Sequence, residues 1–423
     1  MASPHPIRQH GRVLTASLVG TAVEFYDFYI YATAAALVFG PLFFPSESEA
    51  AQTLFAFMSF GIAFIARPVG AIAFGHYGDR IGRKSTLVAS LLMMGVSTFL
   101  IALLPTYAMI GWVAPLLLCV LRFGQGFGLG GEWGGAALLA VENAPPGWQA
   151  RFGAAPQLGA PVGFLAANGL FLLFGLGLSE EDFVSWGWRV PFVLSAVLVI
   201  IGLWVRLRIG ETPAFREALE KAPPAPVPLW ELRHHGGPLL AGTAGVVACF
   251  AIFYLATAYA LAQGTGPLGH DRETFLGVQL LANLFLALGI VLAAWLADLR
   301  SPRTALALGA GATVLLGLVF GPGLASGSLV TIFLTLAAAL FIMGFAYGPL
   351  GGWLPNLFPV RLRYTAISVA FNGGGILGGA VTPIAAQLLA EQGHGAQAGW
   401  LLSVAGAITL AGVLLARASR EAG

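Results

Sequence analysis

Residues Gly75 to Ser85 read GHYGDRIGRKS, an island of glycine and charge between two apolar runs at 53–76 and 85–104. Each run has the length and composition of a bilayer-spanning helix, which needs about 20 mostly apolar residues. The island is therefore read as a short loop between two spans. A poorer copy, ADLRSPRT (Ala297 to Thr304), follows another apolar run later in the chain.

The whole chain has this texture. Of 423 residues, 57% are hydrophobic and 9% are charged, and the mean hydropathy is +0.83. A soluble domain carries about 25% charged residues, so this chain has too little polar surface to cover a core in water. The net charge of +2 and the lack of a basic patch with interleaved aromatics argue against a nucleic-acid partner. Cys119 and Cys249 both fall inside apolar runs, which argues against a disulfide framework. Met1 to Arg12 is polar, and the run after it is long enough to span, so no cleavable signal is expected.

Reading apolar runs against their breakers predicts an all-α membrane protein with twelve transmembrane helices in two six-helix halves. The first six spans are 14–40, 53–76, 85–104, 109–140, 153–177 and 189–208. The second six are 239–263, 274–298, 304–321, 328–353, 364–390 and 397–416. Residues 1–208 form the first half and 239–423 the second. The polar stretch 209–238 contains KAPPAPVP (Lys221 to Pro228), whose prolines cannot continue a helix, and it reads as a cytoplasmic linker. Glu211 to Lys221 is short enough to form a helix lying on the membrane surface. Lys and Arg crowd one side of the predicted membrane: only Arg189 and Arg272 fall on the other, and Arg67 and Arg122 sit inside spans. The positive-inside bias places both termini in the cytoplasm, with the chain in the inner or plasma membrane.

The halves carry matched landmarks. Asp79 after span 2 is echoed by Asp298 after span 8, and Glu142-x-x-Pro145 after span 4 by Asn356-x-x-Pro359 after span 10, at nearly one offset. Parallel six-plus-six repeats are a known transporter plan, with the substrate near the midplane between the halves.

Gly75 to Ser85 resembles the loop-2/3 signature of the major facilitator superfamily. Six further segments resemble its metabolite:H+ symporter family, whose members carry shikimate, 2-oxoglutarate, citrate, proline and betaine. They are EFYDFYIY (Glu24 to Tyr31), FIARPVGAIAFGHYGDRIGRK (Phe64 to Lys84), LRFGQGFGLGGEWGG (Leu121 to Gly135), GWRVPF (Gly187 to Phe192), RIGETPAF (Arg208 to Phe215) and LFPVRLRYTAIS (Leu357 to Ser368). The GGEWGG and PQLGAPVG stretches are most similar to the shikimate-type branch. The resemblance covers nearly the whole chain. Its second-half loop signature is degenerate, and Asn356 stands where the family usually has glutamate.

Five charges lie at membrane depth: Glu24 and Asp27 in span 1, Arg67 in span 2, Arg122 and Glu132 in span 4. Each costs roughly 2.5–3.5 kcal/mol at a helix centre unless it meets a partner or a wet cavity. Three acids face two arginines. The surplus acid, in a low-dielectric site, favours its neutral form and can hold a proton. Glu24, Asp27, Arg122 and Glu132 are therefore the proton-coupling candidates. The resemblance implies that an acid on helix 1 pairs with an arginine on helix 4, and the pair expected here is Asp27 with Arg122. Protonating Asp27 would then free Arg122 for a substrate carboxylate, which its planar fork suits. Arg67 neutralises Glu24 or Glu132, and the sequence does not choose. Arg122, Arg67, Tyr26, Gln125, Gln157, Tyr254 and Asn372 are the substrate-binding candidates by type and depth. Gln157 and Asn372 gain weight from similar places in spans 5 and 11.

The resemblance also implies a cytoplasmic latch built from Asp79, Arg80, Arg83, Glu142 and Arg151. The degenerate second-half loop, with Asp298, Arg303, Asn356 and Arg363, is expected to make a weaker one. Gly126-x-Gly128-x-x-Gly131 matches a dinucleotide-loop pattern but follows no strand, and His234-His235 has no partner ligands, so neither cofactor nor metal is expected. No nucleophile motif is present, which argues against an enzyme. The expected function is secondary active transport by alternating access. The chain would carry a small organic acid or zwitterion together with H+, working as a monomer in the bilayer. The competing readings are a proton-coupled exporter of drug-like solutes and a non-transporting membrane sensor.

Overall fold

A computed structural model describes residues 10–46, 48–81, 83–130, 132–208, 232–359 and 363–416. Side chains at 12–13, 75–81, 83–87, 139 and 205–208 are not among those described. Among the described residues the chain is helical, with no strand.

Among the described residues, eleven helices are long and apolar enough to cross a membrane. In chain order, with the shorter apolar helix counted as α3, they are α1 (Leu14–Phe43), α2 (Glu49–Phe74), α3 (Val88–Ala102), α4 (Val113–Glu142), α5 (Gln149–Gly177), α6 (Gly187–Trp204), α7 (Leu232–Thr265), α8 (Arg272–Leu299), α9 (Pro302–Ala325), α10 (Leu329–Leu357), α11 (Arg363–Glu391) and α12 (Gly395–Leu415). The backbone of α3 starts earlier, at Arg83, and its 20 residues suffice to cross. Twelve predicted spans thus meet twelve helices. The linker residues 209–231, including the expected surface helix Glu211 to Lys221, lie outside the described residues.

The two groups of six helices pack by one scheme. In the first, α1 packs on α5 and α6, α4 on α2 and α3, and α3 on α6. In the second, α7 packs on α11 and α12, α10 on α8 and α9, and α9 on α12. The groups meet along two seams related in the same way, α5 on α8 and α2 on α11. Matched glycines allow the closest crossings. A Cβ on Gly70 or Gly126 would strike the backbone of the facing helix at the α2–α4 crossing, and one on Gly289 or Gly344 would do so at α8–α10. Small residues at such positions let helices in lipid gain dispersion energy over a long contact.

Three helices contain a π-turn: Ala35–Phe39 in α1, Leu255–Tyr259 in α7 and Ile376–Val381 in α11. The first two fall at nearly the offset that separates Asp79 from Asp298. In α7, Gln279 of α8 donates to the loosened carbonyls of Ala256 at 3.1 Å and Thr257 at 2.8 Å. The outer surface carries exposed Leu, Ile, Val and Phe, with Trp112, Trp186, Trp204, Trp295 and Trp400 also exposed, as a lipid-facing belt requires.

Candidate functional site

Asp27, on α1, is fully buried. Ser195 of α6 donates to its Oδ1 at 2.5 Å, and Thr98 Oγ1 of α3 lies 3.3 Å from its Oδ2. Thr98 Oγ1 is also 2.9 Å from the Met94 carbonyl and accepts from Gln125 Nε2 at 2.7 Å. Gln125 Oε1 in turn accepts from Arg122 Nη1 at 2.9 Å. Asp27 and Arg122 are thus the ends of one hydrogen-bonded chain, Asp27–Thr98–Gln125–Arg122, and not the direct ion pair that the sequence suggested. The reason is azimuth: equal depth on two helices does not make two side chains face each other, and α3 supplies the intermediary.

The chain suits two charge states. Thr98 has one hydroxyl proton. It goes to Asp27 when the carboxylate is ionised, or to the Met94 carbonyl when Asp27 carries the proton and donates to Thr98. Either arrangement uses the same atoms. Glu132 accepts from Ser90 at 2.5 Å on the neighbouring part of the bundle.

The two intramembrane arginines have different surroundings. Arg122 is completely buried, with its guanidinium 4.0 Å from the Tyr31 ring centroid, 4.2 Å from Phe28 and 4.8 Å from Phe60. Its Nε points to the Phe60 carbonyl at 3.4 Å, and its Nη2 is buried without a hydrogen-bond partner. Arg67 stands among Phe28, Phe64, Phe250 and Phe371, at 5.5–5.9 Å from each ring centroid. Glu24 and the tyrosines 29, 254 and 347 are its electrostatic neighbours.

Where the halves meet near mid-depth there is a small cavity with room for about one water molecule, lined by Phe25, Tyr29, Ala160, Cys249, Phe250, Phe253, Tyr254, Met343 and Tyr347. Tyr254 is the one predicted binding residue on its wall. Tyr26 instead turns into the first half and donates to the Pro191 carbonyl at 2.6 Å. Gln157 and Asn372 make reciprocal ties across the seam. Gln157 of α5 donates to the Tyr347 carbonyl of α10 at 3.0 Å, and Asn372 of α11 donates to the Gly130 carbonyl of α4 at 2.8 Å. Trp133 donates to Gln157 at 3.0 Å and stacks on Phe371 with centroids 3.8 Å apart.

The seam carries polar contacts at both ends. On the side assigned to the cytoplasm, Asp298 at the end of α8 caps α5, accepting from the backbone N–H of Ala150 at 2.8 Å and of Arg151 at 3.1 Å. Arg151 Nε adds an ion pair to the same carboxylate at 2.7 Å. An anion at a helix N-terminus meets unsatisfied N–H groups and the positive end of the dipole. The second-half loop thus reaches α5 through its aspartate, although its sequence is degenerate. Beside it, Gly351 faces Gly153, and a Cβ on Gly351 would lie 3.2 Å from the Gly153 carbonyl oxygen. Glu142 is an electrostatic neighbour of Arg363. The side chains of Asp79, Arg80 and Arg83 lie outside the described residues. At the opposite end, Arg272 of α8 pairs with Glu180 at 3.0 Å and Glu273 at 2.7 Å and lies 3.6 Å over the Phe183 ring.

Residues 13–222 match the sugar (and other) transporter family. The chain is 48% identical to the inner membrane metabolite transport protein YhjE of Escherichia coli, over 98% of this chain and 96% of that one. The chain belongs to the major facilitator superfamily. It is also 38% identical to the shikimate transporter of Escherichia coli, over 89% of this chain and 87% of the relative. In fold it is similar to the proton:xylose symporter XylE bound to 6-bromo-6-deoxy-D-glucose, with a TM-score of 0.75 and 15% identity, over 96% and 95% of the two chains.

This facilitator is a metabolite transporter and an integral membrane protein, not an enzyme. Among the site residues its sequence left unmarked are Thr98, Ser195, Phe250 and Arg272. Hydroxyls in apolar helices ordinarily bond their own preceding carbonyl, as Thr98 also does, so nothing in spacing sets them apart. Arg272 does carry a signal, as one of two basic residues on the sparsely charged side, but that signal speaks to orientation and not to a contact.

Proposed function

We propose that this transporter is a proton symporter for a small organic acid, working by alternating access between halves 1–208 and 239–423. The observation that carries the reading is the buried chain from Asp27 through Thr98 and Gln125 to Arg122, which accepts Asp27 with or without a proton. Protonation removes the negative end of that chain and changes what Arg122 and its neighbours neutralise. Glu24 and Glu132 complete the acidic set. Asp298 with Arg151 is the cytoplasmic latch, joined by the loop bearing Asp79, Arg80, Arg83 and the nearby Glu142. In this reading the linker 209–238 and both termini are cytoplasmic, the membrane is the inner membrane, and one chain suffices. The similarity to a shikimate transporter supports an acid as cargo.

The test is uptake into proteoliposomes of labelled shikimate, other organic acids and glycine betaine, with and without an imposed pH gradient. One proton moving down 100 mV supplies about 2.3 kcal/mol, enough for roughly fifty-fold accumulation. Uphill uptake should require the gradient. Equal uptake in its absence would remove proton coupling.

A further inference from the structure

We infer that Arg67, and not Arg122, is the anchor for the substrate's carboxylate. This rests on the symporter reading above and assigns its cargo site.

The contrast between the arginines carries the inference. The rings and the amide that Arg122 contacts, Phe28, Tyr31, Phe60 and Gln125, belong to the first half, with Tyr254 of α7 an electrostatic neighbour from the second. Those first-half contacts can stay intact while the halves move. Arg67 is held by both halves: Phe28 and Phe64 come from α1 and α2, Phe250 and Phe371 from α7 and α11. It makes no hydrogen bond among the described residues, and its Nε is buried without a partner. A guanidinium has five N–H donors. Here ring faces, each worth about 0.5–2 kcal/mol, and the neighbouring Glu24 compensate it. When the halves part, Arg67 loses two of its four rings. A carboxylate with two parallel hydrogen bonds replaces that loss and adds charge. The cage thus stands in for cargo when the site is empty, and cargo stands in for the cage when it opens.

The small cavity beside the cage is walled by Phe25, Tyr29, Phe250, Phe253 and Tyr254 among others. Aromatic walls suit a quaternary ammonium, but Arg67 already fills this cage with positive charge. A betaine would set its ammonium against that cation.

The experiment measures binding at fixed pH with no gradient, so it does not depend on proton coupling. Purified full-length protein in nanodiscs is titrated with benzoate, cyclohexanecarboxylate and shikimate, each beside its primary amide, and with glycine betaine. Wild type should prefer at least one acid over its amide by about 10- to 100-fold, as hydrogen bonds to a charged group imply. Arg67→Gln should bring that ratio close to one while still binding the amide, which also reports folding. Arg67→Lys, which keeps the charge and is the milder variant, should lower the ratio less. Arg122→Gln should keep the acid preference. The inference is overturned if wild type binds none of the three acids in preference to its amide. It is equally overturned if Arg67→Gln keeps the ratio, if Arg122→Gln is the variant that loses it, or if glycine betaine binds as tightly as the best acid. Gradient-driven uptake of betaine with no acid preference would sink this assignment and leave only the proton coupling of that reading standing.

Discussion

The first six helices and the last six share a scaffold but not a chemistry. Helix pairing, seam position, crossing glycines and the π-turns of α1 and α7 correspond. Yet Glu24, Asp27, Arg67, Arg122 and Glu132 all lie in the first half, and the matching depth of α7, α8 and α10 holds none. The second half contributes rings and backbone carbonyls instead: Phe250, Tyr254, Phe371 and the Tyr347 carbonyl. Duplication supplies a geometry in which two bundles can rock, and only one bundle needs to hold charge. Concentrating charge in one bundle lets its members compensate each other, while the facing bundle offers rings and a few amide ties but no buried charge at that depth.

The largest expected effect tests the charged half. Asp27→Asn cannot ionise, so accumulation should fall from the roughly fifty-fold that one proton sustains at 100 mV to equality across the membrane. Exchange of substrate between the two sides should survive, because it moves no net proton. Uphill uptake by this variant would shift the proton to Glu24 or Glu132.

The shared scaffold is tested next. Gly70→Val and Gly289→Val each push a branched side chain into the backbone of the facing helix. Both should lose about 1–3 kcal/mol of stability, read as similar drops in Tm in detergent. A large drop for one and none for the other would break the correspondence.

A smaller shift is expected at the latch. Asp298→Asn keeps shape and loses charge at the N-terminus of α5, a loss of about 1–2 kcal/mol for a partly buried site. Labelling of cysteines placed at the cytoplasmic seam should rise by about 5- to 30-fold. Unchanged labelling would make the contact incidental.

The outer clasp should respond least. Glu180 is 74% exposed, so its pair with Arg272 is worth about 0–1 kcal/mol. Glu180→Gln should barely alter labelling from the outer side, while Phe183→Leu, which removes the ring under Arg272, should raise it about three-fold. The reverse order would show that charge, not the ring, holds that end.

Much of this was legible in the sequence because lipid leaves few options. Apolar runs of membrane length must be helices, and buried charges must cluster, so the spans and the five charges followed from composition. Gln157 and Asn372 were marked by their matched places, though as cargo ligands and not as ties between halves. What depth alone does not give is rotation about the helix axis. Tyr26 therefore points to Pro191, away from the cavity, and Asp27 reaches Arg122 through Thr98. The π-turns left no mark in the sequence, since one extra residue per turn has no compositional sign. The aromatic cage around Arg67 needs four helices from two halves, and phenylalanine is too common in such spans to stand out.

The Gly153–Gly351 contact has a mechanical meaning. A gate made of side chains is compliant: rotamers give, and the degree of closure follows the size of whatever lies behind it. Here glycine main chain faces glycine main chain, with no side chain between to give. On the alternating-access proposal, inward swing of these ends would be a fixed stroke, the same for an empty carrier and a loaded one. Such a carrier would measure its cargo against a constant volume, and a molecule too large for it would keep the stop from being reached.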